Sequence, residues 1–273
     1  MVNKSEVLLV GTQEKRKVLS LSLQSHLVLA GTPIVLSSTS KILGVTFDPA
    51  LNFDAHVSDI CRSANFHLRA LSHIRHFLSI SSANLIASSI ISSRLDYCNS
   101  LLLGASSHNI HRLQMVQNRA ARLVLGVGRM SSSEPLLRQL HWLPVHKRIQ
   151  YKTALLTFKT LTSNQPSYLS SLLIPYRPSR SLRSSNSNFL TVPRVSTSLQ
   201  SRAFSVAAPH LWNTLPASLR AMLSLPNPCP SAPSTISSNS FVSPSHSHIS
   251  LHLPTFKSLL KTHLFDLSPS VAT

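Results

Sequence analysis

Between Phe53 and Leu78 the apolar residues Val57, Ile60, Ala64, Leu68, Leu71, Ile74 and Leu78 recur every three or four positions. At about 100° per residue this spacing draws one stripe along a helix, and a stripe of that length has to be buried against other helices. Asn52 or Asp54 stands at the N-cap position, and Arg62, Arg69 and Arg75 lie on the remaining side.

The following stretches repeat the pattern. A second helix is predicted from about Ser82 to Leu103, and a third from Ser107 as N-cap to Gly126 just past its end, with Ile110, Leu113, Ala120 and Val124 on its apolar face. In that third helix Arg112, Arg119 and Arg122 fall together roughly opposite the apolar stripe, with no acidic residue among them. A short helix follows from about Glu134 to Leu140. The segment LHWLPV then interrupts, because Pro144 restricts the residue before it and sets up a new start. The next helix runs from Val145 to Leu161, with Arg148, Lys152 and Lys159 on one stripe.

The first 50 residues read differently. Glu6 to Val10, Lys17 to Leu23, Ile34 to Leu36 and Lys41 to Phe47 are strand-like runs punctuated by Gly11, Gly31, Pro33 and Asp48-Pro49, which predicts a small antiparallel sheet. Gly44 answers equally to a close backbone approach or a β-bulge. Beyond residue 165, short helices are predicted at Tyr168 to Leu173 and Ala203 to Trp212, on either side of a basic, extended Ser/Pro-rich segment. Residues 223–254 are nearly uncharged, crowded with Ser and Pro and without periodicity, so disorder is expected there.

The fold class that follows is α+β, mainly α: small N-terminal antiparallel strands, then a helical bundle, with disordered C-terminal segments. The boundaries are 1–50 for the strands, 51–165 for the helical region, 166–222 for a basic tail, 223–254 for the low-complexity insert and 255–273 for a terminal helix.

Charge decides the class of partner. The chain carries 26 Lys and Arg against 8 Asp and Glu, a formal net charge of +18, which points to a polyanion, RNA or DNA, with an anionic membrane surface as the lesser alternative. Candidate contacts are Arg112, Arg119, Arg122, Arg129, Lys147, Arg148, Tyr151 and Lys152, the cations for phosphates and the aromatic for unpaired bases. Trp142 beside His141 answers either to base stacking or to a place in the core with Leu140, Leu143 and Val145. No apolar run approaches the roughly 18 residues of a membrane span, and Lys4 and Glu6 stand where a signal peptide would be apolar, so an intracellular chain is expected, nuclear or cytoplasmic.

Several chemistries are excluded. Cys61, Cys98 and Cys229 are unpaired in spacing, GVGRMS lacks the third glycine of a dinucleotide loop, and His246, His248 and His252 have no carboxylate or thiol near them in sequence. No cofactor and no metal are expected. Asp96 is expected either to pair with Arg94 or to sit on a helix surface.

The strings SRLDYCNSLL, RLQMVQNRAARLV, LHWLPV, PSRSLRSS, AFSVAAPHLWNTLP and FKSLLKTHLF occur in this order. Together they resemble the region downstream of the catalytic palm in reverse transcriptases of LINE-type (non-LTR) retrotransposons. NKSEVLLVGT resembles the strand after that family's active-site hairpin, and KILGVTFDPALNF the segment leading from palm to thumb, so the likeness runs from about Asn3 to Phe265. In the family the residues after SLRA run almost directly into FKSLLKTHLF, which marks 223–254 as an insertion. The resemblance implies palm-end strands, thumb-like helices and a tail that grip template and duplex. Polymerisation needs two metal ions held by clustered aspartates. No two of Glu6, Glu14, Asp48, Asp54, Asp59, Asp96, Glu134 and Asp266 are adjacent, so no enzyme activity is expected. Two alternatives stay open, an inactive retroelement remnant and a domesticated protein-interaction module.

Overall fold

The computed structural model describes residues 6–23, 28–29, 31–33, 36–178, 188–223 and 246–267. Most of the expected insert, residues 224–245, and part of the basic extended segment, 179–187, lie outside the described residues. Among those described, the chain is mainly α-helical with small antiparallel strand pairs near its start. It divides into two compact units, Met1–Ile149 and Gln150–Thr273, so the division falls inside a helix and not at the expected residue 165.

The N-terminal elements differ from a single sheet. Lys17 to Leu23 is not a strand; it belongs to helix α1 (Gln13–Leu23). Gln, Glu, Lys and Arg in its first turns are strong helix formers, and the Arg16 side chain returns to the Gly11 carbonyl at 3.0 Å, so local propensity overrides the alternating Leu and Ser that follow. The strands form two separate antiparallel pairs, β1 (Val28–Leu29) with β2 (Thr32–Pro33) and β3 (Ser40–Ile42) with β4 (Val45–Phe47). Val7 makes an isolated parallel bridge to Leu36. Gly44 is neither a bulge nor a site of backbone approach. Leu43 and Gly44 are the two central residues of the β3–β4 turn, at φ 47° and 82°, the left-handed pair that a two-residue hairpin with the native twist requires. A Cβ on Gly44 would stand 3.6 Å from the Tyr97 ring, whose hydroxyl donates to the Leu43 carbonyl.

Helix α2 (Asp54–Ile74) follows the apolar spacing, burying Val57, Ala64, Leu68 and Leu71. Its start is organised by neither expected cap alone. The buried carboxylate of Asp48 accepts the backbone N–H groups of Ala50 and Asn52 at 3.1 Å and of Phe53 at 2.6 Å, while the Asn52 side-chain oxygen accepts the Asp54 N–H at 3.2 Å. Asp48 thus fixes a turn that leaves Phe53, at φ 64°, as the residue entering the helix.

The expected helix from Ser82 to Leu103 is four pieces: α3 (Ile80–Ala87), a π-helical turn (Ser88–Ser92), α4 (Ser93–Asp96) and a 3-10 turn (Asn99–Leu102). Serine hydroxyls compete with the backbone ladder, since the Ser93 hydroxyl donates to the carbonyls of Ser89 and Ile90. The chain then turns back at Cys98, φ 51°.

Helix α5 (Ser107–Leu125) ends as expected at Gly126, φ 68°, but its N-cap is Ser106, whose hydroxyl accepts the Asn109 N–H at 3.3 Å. It forms the most extensive helix–helix interface among the described residues with α2. Side-chain bonds join Asn52 to Asn109, Ser58 to Arg112 and Asn65 to Arg119, so residue numbers rise together and the two helices run parallel. Parallel neighbours point their macrodipoles the same way, which is compensated at the carboxyl ends by Arg75. Its guanidinium donates to the carbonyls of Leu123 at 3.0 Å, Val124 at 2.7 Å and Leu78 at 2.8 Å.

After α6 (Ser133–Gln139), LHWLPV turns the chain into α7 (Val145–Ser163), and the Pro144 carbonyl accepts the Arg148 N–H as the first helical bond. Two glutamines of α5 hold this turn. Gln114 accepts the Val145 N–H and Gln117, fully buried, donates to the Leu143 carbonyl, both at 2.8 Å. Trp142 is buried in the core with Leu140 and Val145.

The second unit begins within α7 and continues through α8 (Ser167–Ser170), α9 (Ser198–Ser201), α10 (Phe204–Thr214), α11 (Ala217–Arg220) and α12 (His246–Asp266). The last helix starts inside the expected insert, ahead of the residue 255 boundary. Its core stacks Phe158 on Phe256 at 4.0 Å beside the fully buried Trp212. Asn213 binds both backbone groups of Leu190, which pairs in turn with Pro175, and Trp212 donates to the Asn188 carbonyl. Arg220 is buried with its guanidinium 3.9 Å over the Phe189 ring.

Candidate nucleic-acid interface

Within the first unit the parallel packing of α2 and α5 sets one polar flank of each helix side by side. On α5 this flank carries Arg112 and Arg119, seven residues apart; on α2 it carries Ser58 and Asn65, also seven apart. The partners match one to one. Arg112 donates to the Ser58 hydroxyl at 2.9 Å and Arg119 to the Asn65 side-chain oxygen at 3.1 Å. Both arginines therefore lie beside the buried arc and not opposite it. Arg122 alone occupies the far side of α5, and its Nε donates to the Ser131 carbonyl at 2.9 Å, folding it back over the loop after the helix. The three do not form one ridge, because a neighbouring helix lies along one edge of the face.

The same flank of α2 contributes Arg62 and Arg69, which are exposed and share the helix face of Ser58 and Asn65. Four arginines thus line the α2–α5 seam. Two acidic groups lie along it: Asp54, which accepts the Asn109 side-chain N–H at 2.6 Å at its amino end, and Asp59, 3.3 Å from Arg62; with the Asp59 and Arg62 side chains 52% and 80% exposed, that pair contributes little and leaves the arginine accessible. Arg75, just past the end of α2, is consumed by the carbonyls it caps. The sequence reading held Arg62 and Arg69 as α2's other side but outside the candidate set; the seven-residue match between Ser58/Asn65 and Arg112/Arg119 is the signal that would have joined them to it.

The remaining candidates are scattered. Arg129 is exposed in the loop after α5. Arg148 is a structural residue: its side chain, 13% exposed, binds Asp96 at 2.8 Å and the Leu143 carbonyl at 2.8 Å. Asp96 accordingly pairs with Arg148 and not with Arg94, which turns to Ser63, His67 and the Ile90 carbonyl. Lys147 is half-buried, and burial pulls its ammonium below the usual lysine range. In the second unit Tyr151 is half-buried with its phenol pushed up by burial, while Lys152 and Lys159 are exposed on α7. Near the seam, burial raises the Cys61 thiol and the Arg112 charge opposes that rise.

Chemically the seam offers fixed, permanently charged fork donors and no paired carboxylates. Among the described residues no group of three His, Cys, Asp or Glu is placed to hold a metal ion, and no helix is long and apolar enough to cross a membrane. No family model, curated protein or solved structure matches the chain.

Proposed function

We propose that this chain is the part of a LINE-type reverse transcriptase C-terminal to the catalytic palm, and that it is a non-catalytic, intracellular body that binds RNA or DNA without sequence preference. The observation that carries the reading is the seam of Arg62, Arg69, Arg112 and Arg119, four cations on two packed helices with two carboxylates, Asp54 and Asp59, towards its amino end. Phosphates spaced along a backbone suit such a row, because each guanidinium can offer two parallel N–H groups to one phosphate and release its counterion. The six ordered strings in the sequence support the ancestry, and the lack of any adjacent pair of acidic residues supports binding without chemistry.

The test is a salt titration of the full chain on RNA and DNA, with Arg62, Arg69 and Arg119 replaced by Ala in a variant of unchanged helical circular dichroism. Affinity should fall with salt, and the variant should lose about 0.7 to 0.9 of slope per phosphate contact removed, two to three in total. Salt-independent binding, or an unchanged slope in the variant, rules the seam out. No binding by the folded wild type would leave the inactive remnant or the protein-interaction module.

A further inference from the structure

We propose that the outer face of α2, continued through the 3-10 turn Arg75–Phe77, is a stacking strip for unpaired bases, so that the ligand is single-stranded RNA or DNA in preference to duplex. This rests on the nucleic-acid reading of the neighbouring seam and specifies its ligand. Arg62, Phe66, Arg69 and His73 follow one another at intervals of three or four, which at 100° per residue puts them on one side of α2, and Phe77 follows just past its end in the 3-10 turn. All five are exposed, and the two phenylalanines are 70% and 79% so. An aromatic ring left this open on a well-packed helix forgoes the burial that would otherwise stabilise it by about 1.5 to 3 kcal/mol. Two such rings on one strip, each beside an arginine or histidine, form a pattern with a use.

The chemistry matches an unpaired strand. Cations hold the backbone while flat rings take base faces, and every base has a face, so no sequence preference results. In a duplex the bases are stacked inside, and rings on the convex surface of a helix cannot reach them. Phe66 and Phe77 are eleven residues apart, about 18 Å along the axis with the last three in the 3-10 turn, and His73 lies between them. That length spans about five nucleotides at the stacked spacing of 3.4 Å. A polyanion is favoured over a protein surface by charge, because Arg62 and Arg69 flank the rings in a chain of formal net charge +18. Asp59, at the amino end of the strip, is paired with Arg62 and marks where the strand contact ends.

The experiment measures binding of the full chain to labelled oligo-dT and oligo-rU of about eight nucleotides and to a short duplex over a series of salt concentrations, with Phe66→Leu, Phe77→Leu and the corresponding Trp variants. Leucine keeps the apolar character and removes the flat ring; tryptophan keeps the ring. Each Leu change should weaken single-strand binding about 5- to 150-fold with the salt slope unchanged, Trp should restore it, and duplex binding should be weaker from the outset. Leu variants that bind single strands as the wild type does, or lose strand and duplex equally, overturn the strip while leaving the seam intact. A folded wild type that binds neither ligand overturns both readings.

Discussion

Replacing Arg75 by methionine removes a guanidinium and keeps the apolar stem that carries it. In the folded chain that guanidinium donates to three carbonyls belonging to the carboxyl ends of two parallel helical segments. The Leu123 carbonyl also accepts the Gly126 N–H, so its loss is partly covered, whereas Val124 is a buried residue at the last turn of α5. A hydrogen bond from a charged donor contributes about 1.5 to 3 kcal/mol, and a cation at a helix C-terminus about 0.3 to 1 kcal/mol more. The site is half-buried, and water re-solvates part of what is uncovered. The lower ends of these ranges for two carbonyls, with the dipole contribution, give a loss of about 2 to 4 kcal/mol. At a urea dependence of about 2 kcal/mol per molar, this shifts the midpoint down by 1 to 2 M. Urea unfolding of the full chain, with hydrogen exchange of the last turn of α5 to localise the effect, measures it. Arg75→Lys keeps the charge without the fork and should recover only the dipole share. A methionine variant within 0.2 M of wild type, or a lysine variant fully as stable, would refute the capping argument.

The other expectations follow the same logic. The ring of His56 is buried and its Nδ1 accepts the Thr46 N–H at 3.4 Å, which requires the neutral form. Burial lowers its pKa, against a smaller upward pull from Asp59. The unfolded chain therefore takes the proton first, and this contribution to stability, complete above about pH 6.5, is lost as pH falls toward the folded value. His56→Gln should make acid destabilisation shallower by up to one proton, read from pH-dependent unfolding; an unchanged slope would remove His56 from the acid response. Asn213→Ala takes away two bonds to the Leu190 backbone and should cost the second unit about 1 to 3 kcal/mol, visible as earlier exposure of Trp212 in fluorescence; unaltered unfolding would show water replacing both bonds.

Where several levels of the sequence agree, the fold is legible. In α2 the apolar period, the polar turn before it and the absence of Gly and Pro along it all point one way, and the helix lies where they put it. At Lys17 to Leu23 two signals compete: the leucine-rich run reads as a strand, while Thr12 and the Gln-Glu-Lys-Arg run ahead of it open a helix. The break between Ala87 and Asn99 has no glycine or proline to announce it; side chains of Ser93 and Arg94 bond the Ser89 and Ile90 carbonyls there, contacts that periodicity does not display. The site was legible as residue types and not as a surface. Periodicity put Arg112 and Arg119 on a polar face, but which helix lies along that face depends on a contact 54 residues away in the chain. Arg148 and Lys147 read as ligands for phosphate because the sequence does not display Asp96 and the turn that bury one of them.

The parallel course of α2 and α5 bears on how such a chain reaches its fold. Helical bundles usually assemble quickly because consecutive helices are antiparallel neighbours and meet across a short turn. Here the largest interface joins segments 54 residues apart, and the intervening pieces have to carry the chain back to the starting end before it can form. That ordering entropy comes due before the principal contacts exist. Although the unit is mainly helical, its principal helix pair has the sequence separation of a crossover connection, and refolding slower than that of an up-and-down bundle of equal length, followed by stopped-flow fluorescence, is the expected outcome.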